Sequence, residues 1–191
     1  RGANEKSVLQ IVSIKKFALM RNEVTQGQWQ AIMGNNPSHF KRCGKDCPVE
    51  NVSWEDVQQF IRKLNEKTGQ NYRLPRETEW EYAAKTGNPK ESDSSYDWSW
   101  ERYIKESSWF RANSQHQTWW VASKKANSFG LYDMHGNVWE WVEGCYGDLP
   151  HPLPQQAKDL SPPAKCEQVM RGGGWSSGLG HMLSYVRAIG Y

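Results

Sequence analysis

Eleven tryptophans, eight tyrosines and five phenylalanines stand in a chain of 191 residues whose mean hydropathy is only −0.85. Low hydropathy alone would suit a disordered chain. Disordered chains, however, are poor in aromatics, because they cannot bury enough apolar surface to offset the entropy of ordering. Aromatic side chains bury large areas each, so a core built from them is small in residue number and large in area. The chain is therefore expected to form a single domain, 1–191, with an aromatic core and much irregular loop. The net charge of +3 comes without a stripe of Lys or Arg, which excludes nucleic acid as a partner. No apolar run reaches membrane-spanning length. No signal peptide opens the chain at Arg1, and a mature or a truncated chain would begin the same way.

Residues 8–19 alternate loosely and predict one or two strands. A helix follows, with Thr25 as its cap, Gln28 at the capping-box position, Trp29, Ile32 and Met33 on its apolar face, and Gly34 ending it. The second helix is the clearest. Ser53 caps it, Asp56 completes the box, Val57, Phe60, Ile61 and Leu64 recur at helical spacing, and Gly69 ends it. A third, short helix is predicted over 76–85, with Trp80, Ala83 and Ala84 inward and Gly87 as its stop. Residues 88–128 scatter aromatics among polar residues without a steady period, and predict a long irregular stretch tied down by aromatic anchors. Short strands return at 131–132, 138–142 and 168–171. If 138–142 is extended, Trp139 and Trp141 share one face, in the core, and Glu140 the other. This order predicts an α+β domain with short antiparallel strands and two to three helices, not a parallel βαβ sheet.

Four cysteines allow three pairings. Cys43 and Cys47 flank a tight turn at Gly44, and Cys145 and Cys166 bracket the Pro-rich stretch 149–163. Two local disulfides would staple these loops and suit an exported protein. A zinc site using all four is the rival, although the second pair, 21 apart, lacks knuckle spacing. Four reduced thiols are the third reading. The five histidines, His39, His116, His135, His151 and His181, include no i, i+4 pair, and read as loop or surface residues. No G-x-S-x-G elbow marks a hydrolase.

Four runs together carry a resemblance: N-E-V-T-Q-G-Q-W at 22–29, Y-R-L-P-R-E-T-E-W-E-Y-A-A at 72–84, N-S-F-G-L-Y-D-M-H-G-N-V-W-E-W at 127–141, and R-G-G-G-W at 171–175. In this order they resemble the formylglycine-generating-enzyme (sulfatase-modifying factor) family, whose fold is a variant of the C-type lectin fold. The resemblance spans about 17–187. It implies that a true oxidase would place a copper-binding cysteine pair, spaced C-x4-C, shortly after the last motif; residues 175–191 contain no cysteine. A thiolate is indispensable to that chemistry, so no catalytic residue and no catalytic cofactor is expected. A related branch of the fold holds non-haem iron on histidines of an added helical domain, which the scattered histidines here do not match. The resemblance also implies a structural calcium ion held by the side chains of Asp133 and Glu140 and the carbonyls of Gly136 and Val138, a set that suits a hard cation. The family's other calcium loop is shortened here between Arg111 and Asn127.

After Trp175, family members commonly carry an Asn-rich run. Here it reads Ser, Gly, His, Leu and Tyr up to the framing Arg187. This resembles the C-type-lectin-fold variable proteins of diversity-generating retroelements, which vary this segment and present it on one exposed face. The implied ligand-binding residues are Gly174, Ser176, Ser177, Gly178, Gly180, His181, Tyr185, Ala188, Gly190 and Tyr191. Tyr, Ser and Gly are also enriched in antibody paratopes. The implied protein is a monomeric surface receptor or adhesin, bacterial and extracytoplasmic, with a protein or glycan ligand. The resemblance implies a closing strand containing Gly-Phe-Arg further on, so either a terminal strand is missing from 1–191 or the fold closes differently.

Overall fold

The computed structural model describes residues 13–86, 98–146 and 166–190. Helix α1 spans Gln26–Met33. The Thr25 hydroxyl accepts from Gln28 N–H, Gln28 reaches back to the Thr25 N–H, and Gly34 ends the helix in the left-handed conformation. Helix α2, Trp54–Thr68, is capped the same way by Ser53 and Asp56 and closed by Gly69. Each such cap satisfies backbone groups that would otherwise lack partners, worth about 1 kcal/mol. The two helices pack through Trp29 stacked on Phe60 at 4.9 Å, in a cluster completed by Val49, Val57, Ile61 and Leu64.

Helix α3, Glu77–Lys85, starts where Glu79 accepts the Arg76 N–H at 2.8 Å. It turns Trp80, Ala83 and Ala84 into a second cluster with Leu131, Met134, Val142 and Val169. The last two belong to an antiparallel sheet ordered β1 (Glu140–Cys145), β2 (Gln168–Arg171), β3 (Ala188–Gly190). Its register pairs Glu140 with Arg171, Val142 with Val169, and Met170 with Ala188. Disulfides Cys43–Cys47 and Cys145–Cys166 are both formed. That removes the zinc and free-thiol readings and leaves all four cysteines paired.

The sequence reading needs four corrections. Helix α4, Trp98–Ser107, lies inside the stretch expected to be irregular, and brings the described helices to four. Its inward residues Trp100, Tyr103, Ile104 and Ser107 do follow the 3, 4, 7 spacing of a helix. Ion pairs Arg102–Glu106 and Lys105–Glu101 line its outer side, and these polar residues obscured the period. Residues 13–19 form no strand, and 8–12 lie outside the described residues. Alternation makes a strand only where an edge is available to pair. Residues 131–132 make isolated bonds instead, Tyr132 N–H to Arg21 O and Asn127 N–H to Leu131 O. The strand expected over 138–142 begins at Glu140, so Trp139 lies outside it. The Gly87 stop falls outside the described residues; the last described cap is Thr86.

Candidate functional site

Residues 172–186 leave β2 and return to β3 as a loop closed at both ends by arginine. Arg171, 1% exposed, donates to Glu77 Oε1 at 2.8 Å and Glu81 Oε2 at 3.0 Å. It also donates to the carbonyls of Ser184 and Tyr185. Burial pulls its pKa below the ordinary value, and Glu77 and Glu81 oppose that. Arg187 donates to both oxygens of Glu77, at 2.7 and 3.0 Å, and to the carbonyls of Tyr146 and Cys145. One carboxylate on α3 thus receives both arginines. Two cations and two carboxylates balance, which is what allows charges this deep.

Between these anchors the segment sorts its residues by direction. Leu179, Met182 and Leu183 pack against Trp100, Tyr103, Ile104 and Phe110, so α4 is the platform of the loop. Ser176, Gly180, His181 and Tyr185 are exposed. Ser177 is half-buried; its hydroxyl accepts from Gly174 N–H, and its carbonyl accepts from Arg111 N–H. A side chain at Gly180 would meet nothing within 4 Å, and one at Gly178 only the tip of Arg111. Gly174 is buried against Trp139, and a side chain at Gly190 would strike the Trp141 ring. Ala188 and Gly190 are half-buried in β3. Tyr191 lies outside the described residues. Of the ten candidate residues, Ser176, Ser177, Gly178, Gly180, His181 and Tyr185 thus gather on the loop, while Gly174 supports the turn beneath it. Trp175 holds the loop from below: its N–H bonds Asn137 O, its carbonyl accepts from Ser114, and its ring meets Phe40 edge-on at 5.2 Å.

The second candidate region, the loop before β1, is a hub. Asn137 is fully buried at φ +56°. Its N–H bonds Trp109 O, its side chain exchanges bonds with the Trp119 backbone, and its Nδ2 donates to Glu23 Oε2 at 2.8 Å. Val138 N–H donates to Glu23 Oε1 at 3.1 Å, and Gly136 N–H to Gly172 O at 2.8 Å. Glu140 accepts the Trp80 indole N–H at 2.6 Å. Asp133 is 2% exposed; its Oδ2 accepts Ala122 N–H, while its Oδ1 is buried without a partner. An orphaned anionic oxygen beside a second carboxylate fits a hard cation held partly by backbone carbonyls. Among the described residues, no cluster of three or more His, Cys, Asp or Glu side chains is arranged to hold a metal ion.

Burial pushes Glu140 up to about 7 and Asp133 up to about 6, and Glu23, also mainly by burial, well above the carboxylate range. A carboxyl with a raised folded-state pKa stabilises the fold when protonated. That contribution is full below about 4.5 for Glu140 and is lost as pH rises through about 7. In metal-free buffer, Glu140→Gln is therefore expected to stabilise the protein relative to wild type at pH 8, by about 1–2 kcal/mol. The difference should vanish at pH 4, as read from urea melts at the two pH values. His135 shares this loop but is buried among Trp80, Trp100 and Tyr103, not at a surface; burial holds its pKa down to about 4.

Sequence reasoning missed Glu77, Glu81, Glu23 and the α4 platform. Glu77 and Glu81 are visible as acids on a predicted helix, but their arginine partners lie 90 or more residues away.

A family model for the sulfatase-modifying factor enzyme 1-like domain matches residues 2–189. Chaperone protein LppX of Paenibacillus barcinonensis is 30% identical over 223 residues, 88% of this chain and 72% of that protein. The formylglycine-generating enzyme of Mycobacterium tuberculosis is 31% identical over 126 residues, 60% of this chain; the match spans 38% of that enzyme. Among solved structures, Treponema denticola variable protein 1 superposes with a TM-score of 0.70 and 29% identity, covering 87% of this chain and 76% of that one. PvdO from Pseudomonas aeruginosa gives 0.67 and 27%, covering 88% and 72%.

Proposed function

The chain belongs to the sulfatase-modifying factor enzyme 1-like family, with a C-type lectin fold of that kind, and on that footing we propose that it is a non-catalytic, diversified ligand-binding protein. One observation carries the proposal: the loop 176–185 is held from its ends and its underside, while Ser176, Gly180, His181 and Tyr185 face solvent. Arg171, Arg187 and Glu77 hold the ends, Leu179, Met182 and Leu183 hold the underside, Gly180 opens onto free space, and a side chain at Gly178 would have to displace only the tip of Arg111. Such a loop changes its surface without changing its shape. The likeness to a variable protein supports the same reading.

The domain is 1–191, and the chain acts as a monomer displayed on a bacterial surface or otherwise outside the cytoplasm. Its two disulfides suit that compartment. Among the described residues, no helix is long and apolar enough to cross a membrane. The partner is a protein or glycan bound at Ser176, Ser177, Gly178, Gly180, His181 and Tyr185, with Ala188 and Gly190 at the edge. Calcium, held by Asp133 and Glu140 with the carbonyls of Gly136 and Val138, has a structural role here; the orphaned Asp133 Oδ1 supports it. The rival reading, an oxidase, draws on the enzyme relatives, but its cysteine pair would have to follow Trp175, and all four cysteines precede it in disulfides.

Sequencing the same locus in sibling strains tests the proposal. Differences are expected to concentrate at 176–191 with Trp175 and Arg187 constant. Differences spread evenly along the chain would overturn it.

A further inference from the structure

We infer that Glu23 is the positioning residue of the calcium loop, orienting from outside the ligand set the backbone that would face the ion. The inference rests on the calcium reading above. Glu23 lies just before α1, more than 100 residues from the loop, yet both its oxygens are spent on it: Oε2 on the Asn137 side chain and Oε1 on the Val138 N–H. A peptide unit is planar. Holding the Val138 N–H toward Glu23 therefore points the Asn137 carbonyl the opposite way, where it accepts the Trp175 N–H at 2.7 Å. The neighbouring unit is fixed likewise, because the Asn137 N–H on Trp109 O sends the Gly136 carbonyl away from Trp109. The two bonds to Glu23 thus fix Asn137 and the Asn137–Val138 peptide, the unit that joins the two residues whose carbonyls belong to the ligand set.

Two further observations support a cation here. Asp133 Oδ1 is buried and unpaired, and among the described residues no Lys or Arg forms an ion pair with Glu23, Asp133 or Glu140. Glu23 lies close enough to both ligand carboxylates to feel their charge. It is the kind of outer partner whose loss weakens metal affinity about 10–100-fold.

The test is a calcium titration of the full chain, wild type against Glu23→Gln, which keeps the shape of the side chain and removes its charge. Terbium is the optical probe, since Trp80 donates to Glu140 and would sensitise a lanthanide bound there; calcium then displaces it. Wild type is expected to bind, with EDTA lowering its melting temperature. E23Q is expected to bind about 10–100-fold more weakly, with an unchanged near-UV circular dichroism spectrum. A destabilised control, Phe60→Leu in the α1–α2 cluster, is expected to keep the wild-type affinity. Equal affinity of E23Q and wild type would overturn the role of Glu23 and leave the calcium reading standing. No binding by wild type would overturn both. Should E23Q not fold, amide exchange in the wild type decides: calcium is expected to slow exchange at Val138, and an unchanged rate overturns the inference.

Discussion

Glu77→Ala is expected to lower the melting temperature by roughly 6–20 °C, the equivalent of about 3–5 kcal/mol lost when one partner of a buried ion pair is removed. The size of the effect comes from what remains. Arg171 is 1% exposed, and without Glu77 its guanidinium keeps Glu81 alone as counter-charge. Arg187 loses both of its bonds to Glu77 at once. The damage should begin in the loop, because these arginines tie the Ser184 and Tyr185 carbonyls and the end of β1 to α3. Thermal melts measure the global effect, and amide exchange over 172–186 should rise before that of α2. Ser176→Ala and His181→Ala, at exposed positions, are expected to stay within about 0.5 kcal/mol of wild type. A Glu77→Ala melt within about 2 °C of wild type would mean that the arginines are not the frame.

Gly136→Ala is the second large effect, about 4 kcal/mol in a urea melt. Gly136 has φ +85°, where a Cβ is strained, and that Cβ would point into the Trp109 carbonyl. The carbonyl cannot retreat without releasing the buried Asn137 N–H that it accepts at 2.7 Å. An unpaired buried N–H adds its own desolvation penalty. Gly130→Ala separates the two causes. Gly130 has a similar φ of +75° but open space around it, so its loss should be only the backbone strain, about 1–2 kcal/mol. Equal losses at the two sites would show that the Trp109 contact carries no weight.

Legibility in the sequence followed the range of the interaction. Caps were readable because Thr25 with Gln28, and Ser53 with Asp56, act over three residues. The residue run of β2 was also readable. Helix α4 was present as a period, at Trp100, Tyr103, Ile104 and Ser107, but its salt-bridged outer face hid it. The alternation at 13–19 misled for the opposite reason: a pattern without a pairing partner makes no ladder. In the candidate site, the exposed loop positions were legible as a Gly, Ser, His and Tyr run. Gly174 and Gly190 read the same way, yet indole rings pack against them.

By itself the sequence determined helices α1, α2 and α3, the caps and glycine stops of the first two, and that the core must lean on aromatic rings. Local bonds and side-chain volume settle those matters, and both are written within a few residues of the place where they act. Only the tertiary structure decided that Glu77 serves two arginines, that α4 carries the underside of the loop, and that Glu23 reaches across to Val138. The reason is physical: a buried charge or an orphaned N–H must find a partner, and nothing in a linear chain says which of the distant candidates folding will bring within about 3 Å.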